Sequence, residues 1–200
     1  MSKKKRKKKT TVYIVFEGKR EEKFYCFLKR KYKPESVHIN SNPEYGGSSD
    51  KIVQQALNMK NNYNKVYAWF DEDKSLSAEI RAELAKAWNI DKSELSEEVK
   101  DSDLQSEYNK ENRNPILIVS NPCSVDGFLI KLCGGSVPKT LNTDDCKNTF
   151  NNMVKSCTAS CSESEYYEKN LTKDYLESKK SCLPILELIL SIFEEASKKS

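Results

Sequence analysis

Histidine is almost absent from this chain of 200 residues: His38 is the only one. Catalytic zinc sites draw on several histidines, and histidine is the commonest general base. Zinc hydrolases and His-based acid–base enzymes are therefore disfavoured classes. His38 itself is expected to be an ordinary strand residue. The seven cysteines contain no CxxC pair, and the one close pair, Cys157 and Cys161, has no neighbouring histidine to complete a tetrahedral zinc site. Their odd number and the lack of a secretory leader argue against a disulfide framework, so reduced thiols and a cytoplasmic location are expected. Long apolar runs are missing too. Val12 to Phe16 and Leu183 to Phe193 are shorter than, or more broken by charge than, the about 20 residues a bilayer span needs, so no membrane segment is expected. No GxxxxGK[ST] loop occurs, and the chain is not expected to hydrolyse ATP.

What the chain does have is unevenly placed charge. The net charge of +4 conceals an unbroken basic run, Lys3, Lys4, Lys5, Arg6, Lys7, Lys8 and Lys9, without which the remainder is slightly acidic. Such a run cannot bury a core, and residues 1–10 are expected to form a disordered tail. A solubilising segment, a phosphate-binding arm and a nuclear-localisation signal share this composition.

Beyond the tail the length suits one hydrophobic core, burying about 70% of the unfolded surface. Thr11 to Glu17 is a continuous apolar and β-branched run, as for a strand buried on both faces, and Arg20 to Tyr32 follows with Phe24, Phe27 and Leu28 at helical spacing. Ser36 to Asn40 is a short candidate strand. Ser49 is a candidate N-cap for a helix carrying Ile52, Val53, Ala56 and Leu57. Lys65 to Phe70 repeats the buried-strand pattern and precedes a helix marked by Ile80, Leu84 and Trp88. Asp91 to Asn114 is highly charged and reads as a surface helix or loop, and Pro115 to Ser120 is the next buried strand. Strands alternating with helices predict an α/β fold, a Rossmann-type parallel sheet flanked by helices, over residues 11–135. Residues 136–200 are expected to be a helical extension packing on that core, ending in the strongly apolar Leu183 to Ala196.

In an open parallel sheet, ligands bind outside the carboxyl ends of the strands. Each apolar strand delivers an acid there: Glu17 after the first, Asp71-Glu72-Asp73 after the KVYAWF strand, and Asp126 shortly after Asn121-Pro122-Cys123. If the backbone stays extended past Asp71, Asp71 and Asp73 project to the same side. Clustered carboxylates raise one another's pKa unless a cation neutralises them, and hard oxygen ligands suit Mg²⁺ or Mn²⁺. Lys19, Arg20 and Lys74 near the rim are candidates for holding a phosphate backbone.

The segments Glu17-Gly18-Lys19-Arg20-Glu21-Glu22-Lys23-Phe24-Tyr25 and the strand ending in Asp71-x-Asp73 together resemble the signature of Toprim domains. With Ser120-Asn121-Pro122-Cys123-Ser124-Val125-Asp126, the chain looks most like the RloB-like proteins within that superfamily. The resemblance covers roughly residues 11 to 133. It implies a Mg²⁺-dependent nuclease in anti-phage defence, related to the nuclease domain of OLD-type enzymes and often linked to an ATPase partner; self-association stays open. It also implies that Glu17 is a metal ligand or proton-transfer group, that Asp71 and Asp73 hold the metal, and that Glu21 is a nearby or direct ligand. After Asn-Pro-Cys the family usually has Phe-Glu, whereas this chain has Ser124-Val125-Asp126. A Toprim module that has lost catalysis but binds nucleic acid or a partner is therefore the alternative expectation. A primase-like or topoisomerase-like chemistry is weakened by the lack of a zinc ribbon and of a suitable tyrosine context.

Overall fold

The structure, a computed structural model, describes residues 10–33, 37–43, 48–72, 75–96, 98–109, 113–122, 124–138, 140–157 and 161–194, with the backbone alone at 10, 37–43, 106 and 194. Four strands, β1 (Thr10–Phe16), β2 (Val37–Pro43), β3 (Lys65–Asp71) and β4 (Ile116–Ser120), form among these residues one all-parallel sheet in the order β2-β1-β3-β4. The helices that connect them are α1 (Lys19–Tyr32), α2 (Ser49–Met59), α3 (Ala78–Trp88) and α4 (Asp101–Tyr108), with a 3-10 turn at Lys92–Leu95 before α4. After β4 come α5 (Val125–Leu132), α6 (Thr143–Cys157), α7 (Glu163–Asn170), α8 (Lys173–Lys180) and α9 (Pro184–Glu194).

The period-2 alternation of the strands divides the core between the two faces of the sheet. Ile14, Phe16, Tyr67, Trp69 and Ile118 face α1, α5 and the helices that follow, whereas Val15, Val66, Ala68, Phe70, Leu117 and Val119 face α2, α3 and α4. Both faces are covered, which is why β1, β3 and β4 read as continuous apolar runs. Each large side chain buried this way contributes about 1.5–3 kcal/mol. In α9, Ile185, Leu186, Ile189, Leu190, Ile192 and Phe193 are buried, and this helix closes the first layer against β4 and α8.

The local differences from the sequence reading have identifiable causes. Thr10 pairs with Val37 and so belongs to β1, shortening the expected tail by a residue, and β2 extends to Pro43 along its pairing with Phe16. Ser48, rather than Ser49, takes the N-cap position of α2, and Ser49 is buried in the first turn. The charged stretch 91–114 is more than a surface segment: Leu95, Leu104 and Tyr108 are buried on the second face. Two polar residues of this stretch serve the sheet directly. The Asn109 amide donates to Leu117 O (2.5 Å) and accepts from Leu117 N (2.9 Å), and Gln105 Oε1 accepts from Val119 N (2.5 Å). These are the backbone groups that β4, an edge strand, would otherwise leave unpaired.

A buried ion pair fastens the same layer. Arg81 and Asp101 are 1% and 3% exposed and paired with each other. Arg81 Nε also donates to Leu76 O (3.1 Å) and Nη1 to Ser96 O (2.8 Å), while Asp101 Oδ2 accepts from Leu76 N (3.0 Å). Ser77 N donates to Asp50 Oδ1 (3.0 Å), so the segment leading from β3 to α3 is anchored from two sides.

Candidate metal site at the carboxyl ends of β1 and β3

The two central strands end side by side. Phe16 is in register with Trp69 and Asp71 with Ser120, and the pairing continues one residue further through Glu17 N to Trp69 O (3.1 Å) and Glu72 N to Ser120 O (3.2 Å). Trp69 Nε1 donates to Ser120 Oγ (2.8 Å), which fixes the buried side of this rim. The register brings together two acids 54 residues apart: Glu17 Oε2 accepts from Asp71 N at 2.9 Å. Asp71 Oδ1 in turn accepts from Val125 N at 2.7 Å. Val125 is the first residue of α5, whose N-cap Ser124 makes no side-chain cap. Asp71 therefore does for α5 what a capping side chain would, and its charge lies favourably at the positive end of the helix.

β3 ends at Asp71 and Glu72 lies in a turn, and the expected alignment of Asp71 with Asp73 falls outside the described residues. Asp73 and Lys74 lie outside the described residues, as does the basic run Lys3 to Lys9. Lys19 is exposed at the first position of α1, beside the rim.

Glu21 folds back over the start of α1 and is 2% exposed. A Cβ on Gly18 would stand 3.0 Å from its Oε2, so the glycine leaves room for the carboxyl to lie against the β1–α1 turn. Burial pushes the Glu21 carboxyl up to about 7; the Glu21 backbone amide lowers it, the Glu17 charge raises it and Arg20 lowers it. A folded pKa above the unfolded value means that the stabilising protonated form is complete below the unfolded pKa and lost as pH rises through about 7. Compared with Glu21→Gln, the parent should thus lose about 3 kcal/mol of stability between about pH 4.5 and 7. Denaturant unfolding of both proteins across that range measures it, and a pH-independent difference would mean that Glu21 titrates normally.

Arg20 and Asp126 are placed differently from expectation. Arg20 Nη1 is paired with Asp126, Nη2 contacts Glu163 Oε1 (3.0 Å) and Asn151 Oδ1 (2.7 Å), and the guanidinium lies 5.1 Å above the Phe150 ring. Arg20 is thus turned inward to join α1, α5, α6 and α7, not outward to a phosphate backbone. Asp126, 7% exposed, is held by that guanidinium rather than grouped with Glu17 and Asp71, and it does not act as the cap of α5. Its neighbour Gly127 is required by packing, since a Cβ there would collide with the Pro122 carbonyl oxygen.

Among the described residues no three His, Cys, Asp or Glu side chains stand together as a metal-binding group. Glu17 and Asp71 remain as the described pair with the right chemistry. Mg²⁺ is commonly held by one or two carboxylates together with waters and substrate phosphates, so a pair fits it, whereas a closed protein cage would need more. No helix among the described residues is long and apolar enough to cross a membrane. Comparison with family models, with curated proteins and with solved structures finds no match.

Proposed function

We propose that the rim formed by Glu17 and Asp71 holds a divalent cation, Mg²⁺ or Mn²⁺, and that the protein is a nuclease of the Toprim type hydrolysing phosphodiester bonds. The observation that carries this reading is the contact of Glu17 Oε2 with Asp71 N, which unites acids from the ends of two adjacent central strands. The strand order β2-β1-β3-β4 supports it, because it puts the acid after β1 next to those after β3. Asp73, two residues beyond Asp71, is the third proposed ligand.

When bound, such an ion polarises a phosphate oxygen and lowers the pKa of attached water. Glu17 and Asp71 keep their positions through backbone amides, so no reorganisation is needed to present them. Burial raises the Glu21 carboxyl and disfavours its charged form, so that it adds less negative charge beside the rim than an ordinary glutamate. Lys19 supplies an exposed cation for a neighbouring phosphate. DNA and RNA, including tRNA, are both within the proposed substrate class. A role in anti-phage defence with an ATPase subunit rests on the resemblance to RloB-like proteins.

The Arg20–Asp126 pair favours a second reading, a module that keeps the fold without the reaction, since it withdraws one of the expected acids. The test is to incubate the purified protein with DNA and with total RNA in Mg²⁺, Mn²⁺ or EDTA, beside Glu17→Gln. Products from the parent in metal, and from neither EDTA nor the variant, are expected. Equal cleavage by parent and variant would discard the site. An inert parent would leave the second reading.

A further inference from the structure

A cleft of about 410 Å³ opens beside β4, the edge strand, between α4 and α9. Gln105 and Asn109 of α4 line it together with Asn121, just past the end of β4, while Ile185 and Leu188 of α9 give it an apolar wall. Glu187, exposed in the first turn of α9, adds a carboxylate on the open side. A few polar groups converging on an apolar wall, at this volume, are what a small-ligand site requires.

One of these groups has a hydrogen-bonding end that the fold does not use. Gln105 is 8% exposed, and its Oε1 is taken by Val119 N (2.5 Å). That contact fixes which way the amide points. Nε2 is therefore left to the cleft, with no acceptor among the described residues. A buried donor in this position is costly unless something else accepts from it. Asn109 differs, since Leu117 uses both ends of its amide. A peptide strand does not fit here, because the two amides already hold Leu117 N, Leu117 O and Val119 N.

Asn121 connects the cleft with the metal rim. It follows Ser120, which is in register with Asp71. Its Cα therefore lies within about 9 Å of that of Asp71, one strand spacing and one residue away. A base and its own phosphate are separated by a comparable distance. We infer that the cleft holds a nucleobase, guanine in particular, of the nucleotide whose phosphate meets the Glu17–Asp71 rim; the assignment rests on the metal-site reading of that rim. The Watson–Crick edge of guanine carries two adjacent donors, which suit Glu187, and the O6 acceptor, which suits Gln105 Nε2. Its flat face lies against Ile185 and Leu188. A paired base cannot present that edge, so the substrate is unpaired at this position.

The test is a saturation-transfer NMR titration of the full chain with guanosine 5′-monophosphate, adenosine 5′-monophosphate and ribose 5-phosphate, each in EDTA and in Mg²⁺. In EDTA the guanosine monophosphate should bind at least about tenfold more tightly than ribose 5-phosphate, which carries the same phosphate. Glu187→Gln should weaken it about tenfold, as should Gln105→Glu, which keeps an acceptor for Val119 N and removes the donor. Neither variant should change the binding of ribose 5-phosphate, and Glu79→Gln, exposed on α3, should change nothing. Mg²⁺ should tighten all three ligands in the parent but not in Glu17→Gln. Equal binding of guanosine monophosphate and ribose 5-phosphate in EDTA, or parent-like binding by both cleft variants, would overturn the nucleobase assignment and leave the rim standing. Equal binding of the adenosine ligand would overturn the choice of guanine. A base preference with no gain from Mg²⁺ would instead discard the rim, and with it the link between the two sites.

Discussion

Asp71→Asn should leave the protein folded and abolish at least about 99% of metal-dependent cleavage. The substitution separates the two duties of one carboxyl. An asparagine Oδ1 still accepts from Val125 N, and asparagine is as good as aspartate at a helix start, so the melting temperature should move by no more than about 3 °C. What is lost is the charge that a cation requires. An ion that stabilises a transition state by several kcal/mol accounts for a factor of about a hundred or more in rate. Asp71→Ala removes both duties, and should cost a further about 1–2 kcal/mol of stability for the lost cap. Thermal unfolding, Mn²⁺ calorimetry and cleavage of the same samples check the three parts. If Asp71→Asn cleaves like the parent while Asp71→Ala is merely less stable, Asp71 is only a capping group.

Asp101→Ala should destabilise the fold more than any exposed substitution, by about 3–5 kcal/mol, or a fall of about 10 °C in melting temperature. The loss comes less from the missing attraction than from what remains: an Arg81 guanidinium buried without its counter-charge, and a Leu76 amide without its acceptor. The double variant Arg81→Met with Asp101→Ala should recover part of the loss, because no charge is then stranded. A loss under about 1 kcal/mol in the single variant, measured by denaturant titration, would mean that water reaches Arg81.

The parallel sheet was readable because burial on both faces leaves a run of apolar residues that few other structures produce, as in Val66 to Phe70. Glu17 and Asp71 were readable for a related reason: the first acid after such a run stands at the carboxyl end of a strand, whatever follows. Arg20 and Asp126 were not, because their roles depend on partners such as Glu163, 143 residues from Arg20. In sequence Arg20 belongs to a polar stretch that looks solvent-facing, and Asp126 follows a buried strand just as the rim acids do. Arg81 did leave a signal. It shares the spacing of Leu84, Ala85 and Trp88 along α3, and a charge on that buried stripe implies a buried partner. The anchoring of β4 by Asn109 and Gln105 left none, since amides in a charged segment have no periodicity to betray their contact.

That anchoring decides how this molecule can meet others of its kind. A parallel sheet with a bare edge invites a further strand from any chain, including another copy, and such recruitment is the first step toward cross-β assembly. On the β4 side the template is already occupied by two side-chain amides that imitate a neighbouring backbone but have no further edge of their own to offer. The ladder stops there for want of a next rung. Replacing Gln105 and Asn109 by apolar residues would present β4 as an open template.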